Sequence, residues 1–242
     1  MTDRLDDAKA LIRKSEEQLK QLEGEYRASL SKKEISQELK IDIKNILENL
    51  RSALDYSASY IYRACCSPKG SPNIYFPIAA NGADVKDFSS LANKNIPGLL
   101  GARPDIIQTL ASFQQFSSKE NDWLPELATL CNENKHEQLT PQQRKEVKQL
   151  RIKSGGVEAA IGEGARIHIG QGAGIQLGKL FIPGGQEISA DKAPFAIGNG
   201  NIEKITWVSF VFSVTGKNVI DFLRTSIAGV NNILSQIEKI KV

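Results

Sequence analysis

The sequence is short of the residues that most often carry chemistry: two histidines, three cysteines, two tryptophans and one methionine in 242 positions. Cys65 and Cys66 are adjacent and Cys131 stands alone, so there is no CxxC pair and no metal-ligand spacing. Such a sparse, odd set fits a reducing compartment, where free cysteine behaves as a small apolar residue. No run approaches the roughly 20 apolar residues of a membrane span. The opening stretch, Met1 to Lys20, is charged throughout and lacks the apolar centre of a signal peptide. A cytoplasmic protein is expected, without metal, cofactor or membrane. The formal charge is only +3, with acidic and basic residues interleaved, so charge alone does not point to nucleic acid.

Apolar periodicity comes next. Leu5, Ala8, Ile12, Ser15, Leu19, Leu22 and Tyr26 recur in steps of three and four, as in the seam of a long helix, with coiled-coil spacing. Ser31 and Glu34 have the spacing of a capping box. A second helix with Ile35, Leu39, Ile43, Ile46, Leu50, Leu54, Ser57 and Ile61 on one face should end near Cys65, before the Pro-rich 67–72 stretch. The pair predicts an antiparallel helical hairpin. Residues 73–101 read as an irregular connection holding the apolar run Ile74-Tyr75-Phe76-Pro77-Ile78. Helices are expected from Arg103 to Phe116, from Asn121 or Asp122 through Cys131, and from Thr140 to just before Gly155-Gly156.

Composition then changes. Ile161-Gly162-Glu163-Gly164-Ala165-Arg166-Ile167-His168 is followed by Ile169-Gly170-Gln171-Gly172-Ala173-Gly174-Ile175-Gln176, an eight-residue repeat. It lacks GxGxxG spacing and no helix follows it, so turn glycines in a meander of short strands fit better than a phosphate loop. Ile205 to Val214 predicts a strand, and Lys217 to Lys239 a long amphipathic helix that packs on the sheet or back on the helical part. The expected fold class is α+β: an N-terminal antiparallel helical bundle over 1–152, then a glycine-rich antiparallel β section closed by a long C-terminal helix over 153–242.

Two polar groups interrupt the apolar pattern. Asn132 and His136 are four apart and share a helix face, where a histidine can act as acid or base and an asparagine can orient it. The plainer alternative is a helix end with Lys135 and His136 set favourably against the dipole. His168, beside Arg166 in a strand pattern, reads as a solvated face. On the second helix, Asn49, Arg51 and Asp55 form the other group; Arg51 and Asp55 can pair i to i+4 on the surface. A site requires this group and the Asn132–His136 end to meet in space.

The order Asn49-Leu50-Arg51-Ser52-Ala53-Leu54-Asp55, Tyr75-Phe76-Pro77-Ile78 and Asn132 to Lys135-His136 resembles a bacterial protein group with NLRxALD, FPI and NxxKH segments. That group is similar to the HEPN superfamily of helical, often dimeric proteins, many of them metal-independent ribonucleases of toxin–antitoxin and phage-defence systems. The resemblance covers about residues 36–140. It implies His136 as the family histidine and Asn132 as the polar residue beside the family arginine, whose own place is held by Cys131. A thiol cannot hold a scissile phosphate as a guanidinium does, and Lys135 is the nearest substitute cation. The resemblance therefore implies a non-catalytic binding or assembly component with a protein partner or second copy. The alternatives are a ribonuclease acting on RNA through His136 as acid or base, assisted by Asn132 and Lys135 or Arg51, and a structural protein that oligomerises through the N-terminal seam.

Overall fold

A computed structural model describes residues 4–32, 36–66, 72–80, 82–136 and 142–240, with side chains described except over 26–32, 134–136, 142–147 and 205–210. The protein is α+β, with helices first, antiparallel sheets in the middle and a helix last. It divides into two compact units, a helical one (Met1–Gln143 and Val211–Val242) and a β unit (Arg144–Phe210).

In the helical unit, α1 (Arg4–Lys32) and α2 (Gln37–Cys65) form the expected hairpin. The α1 seam from Leu5 to Leu22 and the α2 face from Leu39 to Ile61 are both buried. Ser15 and Ser57 sit fully buried in those seams because each hydroxyl donates to its own helix, to the Leu11 and Leu54 carbonyls, so no polar group is stranded where the helices approach. Ser31 lies inside α1, and Glu34 lies outside the described residues. The cap of α2 is Ser36, whose hydroxyl accepts from the Leu39 N–H at 3.1 Å.

The connection expected to be irregular contains α3 (Val85–Asn95), capped by Asp84, and the single turn α4 (Leu99–Ala102). Phe88, Ala92, Ile96 and Leu99 supply its buried side, a helical spacing concealed by polar neighbours. Next come α5 (Pro104–Ser112), a 3-10 turn (Lys119–Asn121) and α6 (Trp123–His136). Helix α7 (Val219–Lys239) packs on α1, α2 and α6. The ion pairs Lys9–Glu238 (2.6 Å) and Glu23–Arg224 (2.8 Å) set it antiparallel to α1. The 152/153 boundary is corrected accordingly: α7 belongs with the bundle, because its apolar face completes the helical core, and the β unit is an insertion.

That unit holds β1 (Gln142–Ser154), β2 (Val157–Gly162), β3 (Arg166–Ile169), β4 (Gly174–Leu177), β5 (Leu180–Pro183), β6 (Gln186–Ser189), β7 (Ile197–Gly198) and β8 (Asn201–Phe212). A strand replaces the helix expected after Thr140. In β1, Leu150, Ile152 and Ser154 point inward in steps of two, and pairing with β2 (Leu150↔Ile161, Ile152↔Ala159) overrides a composition rich in helix formers. The sheets run β2-β1-β8, β3-β6 and β4-β5-β7, so β3 skips past a hairpin to reach β6 and the simple meander is not what forms. One core of Leu150, Ile152, Ile161, Ile169, Leu180, Ile182 and Ile188 serves these short sheets.

The eight-residue repeat is a repeated turn. The Ala165 N–H donates to Gly162 O and the Ala173 N–H to Gly170 O, both at 3.2 Å. Gly164 (φ 82°) and Gly172 (φ 83°) occupy the third position, where a type II turn requires positive φ. Each turn delivers an isoleucine, Ile161 before one and Ile169 before the next, to the core.

Candidate functional site

A cleft of about 430 Å³ opens on the helical unit. Arg51 and Asp55 of α2 line it, together with Tyr75, Phe76 and Ile78 of the extended segment, Asn95 at the end of α3, and Ala128, Cys131 and Asn132 of α6. Arg51 and Asp55 of α2 and Asn132 of α6 therefore line one cleft.

Three hydrogen bonds hold the extended segment as the cleft wall. The Tyr75 N–H donates to Asn95 O at 3.3 Å, the Phe76 N–H to Asp55 Oδ1 at 2.9 Å, and the Ala79 N–H to Gln114 Oε1 at 2.9 Å. The Gln114 amide nitrogen donates in return to the carbonyls of Pro77 (3.2 Å) and Leu110 (3.0 Å). Phe76 is wholly buried beneath this wall, which leaves Tyr75 turned outward, 48% exposed. Arg51 Nη2 lies 3.4 Å from Asp55 Oδ1, the i to i+4 pair the spacing predicts; both side chains are mostly buried. Asp55 thus serves a backbone amide and a guanidinium at once, and the pair is electrically neutral.

Cys131 is buried, and its thiol donates to Leu47 O at 3.4 Å. The position is therefore a contact between α6 and α2 at the cleft wall, and the described cation of the cleft is Arg51 from α2. Asn132 is exposed at the cleft edge. Lys135 and His136 close α6, but their side chains lie outside the described residues. Asn49 is not brought in: its amide donates to Gln18 Oε1 on α1 at 3.1 Å. His168 of β3 is exposed and faces Glu187 across the strand pair, 3.4 Å from the carboxylate.

Sequence reasoning missed Asn95 and Gln114. Asn95 was hidden with α3, for which Asp84 three residues before Asp87 was the available signal. Gln114, a buried polar residue at a helix end, left no mark in the periodicity. Burial pushes the Cys65 and Cys66 thiols above their ordinary range, which disfavours the thiolate at both. Among the described residues, no three His, Cys, Asp or Glu side chains group closely enough to hold a metal ion, and no helix is long and apolar enough to cross a membrane. No family model, no curated protein and no solved structure matches this chain.

The cleft thus offers one exposed phenol ring, the amide of Asn132 at its edge, the amide of Asn95, and a guanidinium whose charge is balanced within the site. That set can stack on and hydrogen-bond a planar polar ligand. It contains no described acid–base pair.

Proposed function

We propose that the helical unit is a HEPN-like binding module that holds a nucleotide, alone or within an RNA strand, without cleaving it, as a non-catalytic component of a bacterial defence or toxin–antitoxin system. The observation that carries this reading is the convergence of Arg51, Asp55 and Asn132 with the clamped Tyr75–Ile78 wall on one cleft. Its volume lies within the usual range for small-molecule sites. Tyr75 supplies the stacking face, Asn132 and Asn95 the base-edge contacts, and the outer N–H groups of Arg51 a phosphate contact. The test is titration of the four nucleoside monophosphates by calorimetry. At least one should bind; Arg51→Ala and Asn132→Ala should each weaken it about tenfold. Absence of heat with all four nucleotides ends the proposal.

The ribonuclease reading retains one specific support: Asn132 lines the cleft, and α6 continues one turn further to His136. It requires RNA cleavage without added metal, abolished by His136→Ala in a protein that still folds. A structural protein that oligomerises would have to use a face other than the α1 seam, which packs on α2 and α7.

A further inference from the structure

The formal charge of the chain is concentrated in one place. Between Arg144 and Phe210 there are nine Lys and Arg against six Asp and Glu, so the β unit carries the whole +3 and the helical unit is neutral.

The outer face of the β4-β5-β7 sheet carries exposed apolar side chains where an outer face is ordinarily polar. Phe181 is 40% exposed, Phe195 67% and Ile197 56%. Phe181 stands directly opposite Ile197 in the β5–β7 register, and Phe195 lies two residues before Ile197, with Ala196 turned to the core between them.

The Phe181 ring and the backbone of Phe195 are held in place. The Phe181 ring lies over Gly174, where a Cβ would come within 2.4 Å of two ring carbons, so only glycine lets the ring settle across the sheet with its other side to solvent. Phe195 is presented by Gln186, whose amide oxygen accepts from the Phe195 N–H at 2.7 Å and whose amide nitrogen donates to the Phe195 carbonyl at 3.1 Å. Lys179, two residues before Phe181, and Lys192, three before Phe195, are exposed and have no ion-pair partner among the described residues.

Exposed rings with exposed lysines two and three residues away along the chain, on a net-positive unit, are the components of a platform on which bases stack while ammonium groups meet phosphates. We infer that this face binds single-stranded nucleic acid, with Phe181 and Phe195 as the stacking residues and Lys179 and Lys192 as the phosphate-binding cations. The inference is independent of the cleft in the helical unit.

The test is fluorescence anisotropy of a labelled oligouridylate of about 12 nucleotides with the full chain. Phe195→Ala, at a position exposed enough to be truncated without disturbing the sheet, should weaken binding about fivefold or more, and Phe181→Ala likewise. Phe195→Leu, which keeps apolar bulk but no ring, should fail to restore it. Replacing Lys179 and Lys192 by Ala should reduce the slope of log affinity against log salt by about 0.7 for each phosphate no longer neutralised. A merely structural role would not move that slope. No binding at about 50 mM salt overturns the inference, as does binding that ignores the two phenylalanines but disappears in Arg51→Ala. A dimer in light scattering that Phe195→Ala dissolves overturns it as well, since the face would then be covered by a second copy. Oligouridylate binding with no mononucleotide binding would remove the cleft proposal and leave this one standing.

Discussion

Asp55 and Gln114 share one task, fixing the segment from Phe76 to Ala79, and they do so by different chemistry. Asp55 accepts from a backbone N–H and balances Arg51, whereas Gln114 is neutral and fully buried, with both ends of its amide engaged. Removing either leaves backbone groups without a partner, a loss of about 1–3 kcal/mol each. Asp55→Ala and Gln114→Leu should therefore lower the urea midpoint, while Asp55→Asn, which keeps an acceptor for the Phe76 N–H, should stay close to wild type. Asp55→Asn also leaves the Arg51 charge unbalanced. It should tighten the binding of an anionic nucleotide in the calorimeter even though it does not stabilise the fold. If Asp55→Asn destabilises as much as Asp55→Ala, it is the ion pair and not the amide hydrogen bond that holds the wall.

Among the helices, the packing of α6 on α7 turns on one atom that is absent. A Cβ at Gly229 would sit 2.2 Å from the Trp123 ring, and that ring is 5% exposed, with nowhere to move. Alanine gains about 1 kcal/mol in a helix interior relative to glycine, but overpacking costs about 1–3 kcal/mol or more. Gly229→Ala should consequently lower the melting temperature, and a stabilised variant would show that the ring can yield. Such close approaches cannot be read from sequence, because a mid-helix glycine looks only like a weak point in the pattern. Where one apolar face is buried throughout, as in α1, α2 and α7, periodicity located the element to within a few residues. In α3 polar neighbours masked the spacing. In β1 the helix-forming Gln142 to Lys148 stretch outweighed the alternation that begins at Leu150, and strand pairing reversed it. Part of the candidate cleft was readable in the same way, because Arg51, Asp55 and Asn132 are polar interruptions of apolar faces. Asn95 and Gln114 contribute through tertiary placement alone, and Asn49, equally polar, serves α1 instead.

For the molecule entire, the question is whether two cores mean two separable units. The helical unit is closed by α7, and the chain resumes there through Lys217, whose ammonium meets Asp122 at 2.8 Å and Glu126 at 2.9 Å. Burial alone would lower the pKa of this lysine, but the two carboxylates outweigh it, raise it and hold the group charged. The chain leaves and re-enters on β1 and β8, which are hydrogen-bonded neighbours, and adjacent strands run only about 5 Å apart. Residues 144–210 are thus bracketed by strands that a short linker can replace, while α1, α2, α6 and α7 pack on one another within the helical unit. A variant with that stretch replaced by a Gly-Ser linker should fold, show a stronger helical circular dichroism signal per residue, and unfold in urea as one cooperative transition. It should keep mononucleotide binding and lose the oligouridylate binding assigned to the β unit. A variant that is soluble yet shows no cooperative transition would mean that the bundle draws its stability from the insertion, and the division of binding between the two units would fall with it.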